Sequence, residues 1–108
     1  MELVKPPTFL HRPIERLVRV FAPEHIVLFG SYSKGIAHLG SDIDLLIVAD
    51  FEGDRVIHLR RARQLVHDSF PPIDIILCTP EDIEEAHEAR SPFLLSVLGS
   101  GITVYKSK

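Results

Sequence analysis

The sequence has little of several features that mark specialised classes of protein. Cys78 is the only cysteine among 108 residues, which excludes an intrachain disulfide framework and a thiolate metal cluster. Lysine and arginine number 12 against 15 acidic residues, giving a formal net charge of −3. General binding to nucleic acid requires a clustered excess of basic side chains. We therefore expect no direct contact with nucleic acid.

Long hydrophobic runs are also missing. The most apolar segments, such as Ile73 to Cys78, are interrupted by acids like Asp74 and are much shorter than the roughly 20 residues that cross a bilayer. The segment Met1 to Pro7 has no apolar core of signal-peptide length. We expect no membrane association, and the single cysteine agrees with a reducing, cytoplasmic location.

The remaining composition is that of an ordinary globular domain. Hydrophobic residues make up 45% of the chain and charged residues 25%, which predicts one domain over residues 1–108. A domain of this size buries only about two thirds of the surface of its unfolded chain. We therefore expect little material for enclosing a large substrate.

Apolar spacing and turn residues predict alternating helices and strands. Thr79-Pro80-Glu81-Asp82, for example, combines an N-cap, a first-turn proline and an acid three residues after the cap. The predicted elements are a helix over Leu10–Phe21 with Pro13 in its first turn, a strand over Ile26–Phe29, a short helix over Ser31–Ala37, a strand over Ile43–Val48, a helix from Val56 through Phe70, a strand over Ile73–Cys78, helices over Pro80–Ala89 and Phe93–Leu98, and a strand over Ile102–Tyr105. This order indicates an α/β (α+β) domain with a central sheet packed by helices, and it leaves the strand order open.

Two acids on one predicted strand indicate a metal site. Asp42 and Asp44 are separated by one residue, so their side chains leave the same face with Cα atoms about 6.5 Å apart. Carboxylates this close repel each other and are costly to desolvate unless a cation lies between them. Ligand sets made of oxygen alone favour magnesium. The alternative is an N-cap followed by a solvated strand end.

A glycine and a serine precede these acids where a strand turns into a helix. At such a turn, backbone N–H groups without an intrahelical partner favour a phosphate. Gly30 would allow close approach of a triphosphate, and Ser31 would donate a hydrogen bond. Lys34 is a candidate point charge for a phosphate oxygen, or else a solvated lysine. Ser41, directly before the acids, is a further candidate for nucleotide binding.

A third acid, Asp74, lies inside another apolar strand. If that strand is adjacent to the strand of Asp42 and Asp44, three carboxylates converge on two magnesium ions about 3.5 to 4 Å apart. Asp74 would then ligate the metal at the attacking oxygen and is a candidate to accept its proton. The reaction implied is attack on the α-phosphorus, with pyrophosphate leaving. The alternative for Asp74 is a strand-edge acid without a ligand.

Gly30-Ser31, then Gly35, then Ser41-Asp42-Ile43-Asp44 with a later strand acid resembles the nucleotidyltransferase superfamily of DNA polymerase beta. More narrowly, the chain is similar to the minimal nucleotidyltransferases (MNT), the antitoxins of HEPN/MNT toxin–antitoxin pairs. The resemblance runs from the first helix through the terminal strand. It implies a nucleotidyltransferase fold with a mixed sheet, ATP as donor, and transfer of AMP to a hydroxyl of a HEPN-type toxin within a hetero-oligomer.

Two other functions remain open from the sequence. One is a noncatalytic antitoxin that acts by binding alone, and the other is an adenylyltransferase for small molecules of the antibiotic type. The short chain leaves no segment for an acceptor-binding domain, so we expect an external acceptor that presents its own hydroxyl. Arg60, Arg61 and Arg63 form either a solvated helix face or a face that contacts a partner.

Overall fold

A computed structural model describes residues 5–30 and 43–107 of the chain. Within these ranges the elements are α1 (Thr8–Phe21), β1 (His25–Phe29), β2 (Ile43–Val48), α2 (Arg55–Leu65), β3 (Ile73–Cys78), α3 (Pro80–Ala89), α4 (Pro92–Ser100) and β4 (Ile102–Lys106). The predicted short helix over Ser31–Ala37 lies outside the described residues. No helix within them is long and apolar enough to span a membrane.

The strands form one mixed sheet in the order β3-β2-β1-β4. β1 pairs antiparallel with both β2 and β4, whereas β2 and β3 are parallel. Parallel neighbours need a crossover connection, and α2 provides it between β2 and β3. The mixed sheet with packed helices confirms the predicted α/β class.

Helices α1 and α2 cover one face of the sheet. Alternate residues of β2, namely Ile43, Leu45 and Ile47, are fully buried there. They belong to one apolar cluster with Leu17 of α1 and Ala62 of α2. Because side chains alternate along a strand, this cluster uses every second position of β2.

Helices α3 and α4 cover the opposite face. The intervening residues Leu46 and Val48 of β2 pack there with Val27 of β1, Cys78 of β3 and Val97 of α4. A strand that is buried on both faces reads as a continuous apolar run. This double burial explains why the sequence of β2 is almost wholly aliphatic.

Several predicted helix boundaries differ from the structure by one or more residues. α1 begins at Thr8, so Pro13 lies inside the helix rather than in its first turn. α2 ends at Leu65 instead of Phe70, because the Val66 N–H bonds to the carbonyl oxygen of Arg63 and the chain continues in tighter turns. α4 continues past Leu98 to Ser100.

Candidate active site

Asp44 of β2 and Asp74 of β3 stand side by side. The two strands are parallel, and Asp44 is the direct register partner of Asp74. Neighbouring strands lie about 4.8 Å apart, and partners in register project to the same face. The strand of Asp74 is therefore adjacent to the strand of Asp44, and both carboxylates occupy one face of the sheet.

The position of Asp44 follows from the alternation along β2. Ile43 and Leu45 point into the α1/α2 layer, so Asp44 shares its face with Leu46 and Val48. Leu46 and Val48 are buried beneath α3 and α4, whereas Asp44 is half-exposed and Asp74 is exposed. Because both acids lie near the start of their strands, their charges keep access to water, which avoids the cost of burying them.

Gly30 ends β1 beside Asp44. Its φ of +79° lies in the left-handed region that favours glycine. A Cβ atom at this position would overlap the Asp44 carboxylate group. The preceding residue, Phe29, is the register partner of Asp44. The structure therefore brings the backbone of the Gly30 turn directly against one of the predicted metal ligands.

Four predicted site residues, Ser31, Lys34, Ser41 and Asp42, lie outside the described residues, so their roles stay predictions. Among residues 5–30 and 43–107, no group of three or more metal-ligating side chains is present. Asp44 and Asp74 supply two carboxylates. This donor set fits magnesium, which proteins bind through one or two carboxylates together with water and substrate phosphates.

An aromatic pair next to the acids was not singled out from the sequence. The rings of Phe29 and Phe93 meet edge to face, with centroids 6.2 Å apart and planes at 84°. Phe93 is 55% exposed. Its proximity depends on how α4 docks on the sheet, which local sequence patterns do not reveal. Only the position of Phe29, directly before Gly30, offered a sequence signal.

The opposite end of β3 carries a structural cluster. Arg55 at the start of α2 pairs with Asp82 of α3 at 2.6 Å. The hydrogen bond from Arg55 holds the pKa of Asp82 below its usual range. Thr79 and Asp82 form a reciprocal capping box at the start of α3. These residues tie α2 to α3 at the end of β3 that is far from Asp74.

Cys78 belongs to this structural end as well. It is buried in the apolar cluster beneath α3 and α4. Burial raises the pKa of its thiol to about 11. A neutral, buried thiol is unreactive, so Cys78 serves as a small residue of the core.

The mixed sheet, with two carboxylates in register beside a glycine turn, defines a domain of the nucleotidyltransferase class. A family profile described as "Nucleotidyltransferase domain" matches residues 13–96. This match covers most of the chain, which therefore belongs to the nucleotidyltransferase domain family.

A comparison with solved structures extends this result. The chain is similar to a chain of a structure described as "Crystal structure of the toxin-antitoxin with AMP-PNP", with 28% sequence identity and a TM-score of 0.55. The similarity covers 89% of this chain and 73% of that chain. It confirms the nucleotidyltransferase fold and is consistent with an MNT-type antitoxin. No curated protein matches the chain.

Proposed function

We propose that this chain is a magnesium-dependent nucleotidyltransferase that transfers AMP from ATP to a hydroxyl of a partner protein, a HEPN-type toxin, and acts as its antitoxin. The observation that carries this proposal is the pairing of Asp44 with Asp74 beside the Gly30 turn. Membership of the family supports the transferase activity. The similar toxin–antitoxin structure with AMP-PNP supports both an adenine nucleotide and a toxin partner.

The two described acids differ in their surroundings, and this difference suggests separate roles. Asp44 lies between β1 and β3 with the Gly30 turn against its carboxylate. We assign it, with Asp42, to the side of the triphosphate, where Gly30, Ser31, Lys34 and Ser41 would contact phosphate oxygens. Magnesium bound by the carboxylates would supply positive charge to the phosphates.

Asp74 is exposed on β3, the outermost strand on its side of the described sheet. Because Asp74 is exposed, an acceptor from another protein can approach it from solvent. In the proposed reaction the acceptor hydroxyl oxygen bonds to the α-phosphorus, and the bond to pyrophosphate breaks. The Asp74 carboxylate accepts the hydroxyl proton, a role that requires a hydrogen bond to the acceptor.

The direct test is incubation of the chain with ATP labelled in the α-phosphate, magnesium, and the protein encoded beside it. Intact-mass analysis should show that the neighbouring protein gains AMP. Removal of magnesium with EDTA should prevent the gain, and so should replacement of Asp74 by asparagine.

Two results would contradict the proposal. Stable co-elution of the two proteins on size-exclusion chromatography, with no added AMP, would favour an antitoxin that acts by binding alone. Efficient adenylylation of a free aminoglycoside, with the neighbouring protein unmodified, would favour a small-molecule transferase.

A further inference from the structure

We propose that Phe93 binds the base of the nucleotide, by stacking its ring against the base while the phosphates lie at Gly30 and Asp44. This inference rests on the proposed function and adds a contact that sets the position of the donor. Phe93 is the second residue of α4 and is 55% exposed. Its ring lies beside a row of three side chains, Phe29, Asp44 and Asp74, which contains two of the predicted metal ligands.

The register of the sheet places Phe93 relative to the acids. Phe29, Asp44 and Asp74 are direct partners across β1, β2 and β3, so they form one row on one face. Phe93 contacts Phe29 at the β1 end of this row. The Gly30 turn, where the triphosphate is expected, follows Phe29 directly. Phe93 therefore lies at the same end of the row as the Gly30 turn, and the ring of Phe29 connects it to Asp44.

The packing of α4 holds Phe93 at the boundary of the covered surface. The next residue, Leu94, packs on the apolar cluster, and Val97 is buried in it. That cluster contains Val27, two residues before Phe29 on β1, and Leu46, two residues after Asp44 on β2. Phe93 is thus fixed by a docked helix and by the ring of Phe29, while the residue remains exposed to solvent.

A nucleotide whose phosphates lie at Gly30 would gain affinity from an apolar contact to its base beside that site. Its phosphates and its base lie at opposite ends of the molecule, so a site for the phosphates leaves the base displaced to one side. Every base has a π-face, and aromatic side chains stack on it favourably.

The other strongly exposed apolar side chains lie elsewhere. Phe9 and Val20 are on α1, and Val56 and Ile57 are on α2, the two helices that cover the opposite face. Phe70 precedes β3, on the Asp74 side of the row, where the acceptor is expected. Phe93 is therefore the exposed aromatic on the side of the Gly30 turn among the described residues.

The test compares two ligands that share phosphates but not a base. Calorimetric titrations with magnesium use a nonhydrolysable ATP analogue and inorganic tripolyphosphate. Phe93→Ala should weaken binding of the ATP analogue about tenfold, as expected for the loss of one stacking contact. It should leave tripolyphosphate binding unchanged, which also shows that the variant is folded. Phe93→Trp should restore affinity for the ATP analogue, and Ile57→Ala serves as the control for removing an exposed side chain.

Several outcomes would overturn the inference. Equal weakening for both ligands would mean that Phe93 supports the structure of the phosphate site. Unchanged affinity for the ATP analogue, with a raised KM for the partner protein, would place Phe93 at the acceptor. If the unmodified protein bound neither ligand, the proposed function itself would fail, and this result differs from a failure at Phe93 alone.

Discussion

The two ends of the sheet face beneath α3 and α4 have opposite chemistry. At the covered end, Leu46 and Val48 are buried in an apolar cluster. At the open end, Asp44 is on the same strand and face, but it is partly exposed to solvent beside Asp74. A step of two residues along β2 thus separates a stabilising core from a charged site. The extent of the covering helices, rather than the strand itself, decides which chemistry each row can hold.

Two glycines, Gly30 after β1 and Gly101 after α4, leave no room for a side chain, but the chemistry of their neighbours differs. At Gly30, an added Cβ atom would overlap the Asp44 carboxylate. At Gly101, the C-cap of α4, it would overlap the side chain of Val27 and the backbone of Val97. The first close approach is to a charged side chain, and the second is to an apolar side chain and a backbone carbonyl. Each position therefore depends on the absence of a side chain, but for a different reason.

The largest expected effect on stability is at the covered end. Leu46 is fully buried, so Leu46→Ala removes apolar contacts and leaves a cavity. We expect a loss of about 2 to 5 kcal/mol in the free energy of unfolding, measured by chemical denaturation. Ile57→Ala is the control, since Ile57 is 61% exposed and its truncation should change stability by less than about 0.5 kcal/mol. Similar losses in both variants would contradict the contrast in burial.

The open end should respond in activity rather than in stability. Asp44→Asn and Asp74→Asn should each lower AMP transfer to the partner by about 100-fold or more, the effect of removing one preorganised charged or polar group from a site. Neither should destabilise the fold, because the change reduces repulsion between neighbouring carboxylates. Initial rates and denaturation curves measure the two effects.

Asp50→Asn is the matched control for these substitutions. Asp50 is exposed and lies just beyond the other end of β2, so the same change there should leave the rate of transfer unaltered. Retention of full activity in Asp44→Asn would remove Asp44 from the site. Strong destabilisation of that variant would instead make the carboxylate a structural group.

The sequence predicted the local structure best where burial leaves a clear pattern. The bounds of β2, β3 and α3 agree with the prediction, because apolar runs and a capping box mark them. The end of α2 was wrong, since helical spacing continues through Phe70 after the helical hydrogen bonds have stopped. The adjacency of Asp74 to Asp44 and the proximity of Phe93 depend on tertiary packing, which spacing alone does not contain.

The smallest expected effect concerns the capping box at the covered end. The Thr79 hydroxyl accepts a hydrogen bond from the Asp82 N–H, and the Asp82 carboxylate accepts one from the Thr79 N–H. Thr79→Ala removes the first bond, together with a 3.5 Å hydrogen bond that Arg55 donates to the same hydroxyl, and leaves an N–H of the first helical turn without its side-chain acceptor. We expect a loss of about 1 kcal/mol in the free energy of unfolding, measured by thermal and chemical denaturation.

Ser91 offers a matched control for this prediction within the same helical layer. It is the N-cap of α4, as Thr79 is of α3, but its side chain makes no capping hydrogen bond. Ser91→Ala should therefore leave stability almost unchanged, and Thr79→Ser should retain most of the stability because it keeps the hydroxyl. Neither Thr79→Ala nor Ser91→Ala should alter the affinity for a triphosphate. A loss of affinity in Thr79→Ala would show that the covered end communicates with Asp44 and Asp74, and that the two ends of this face are not independent.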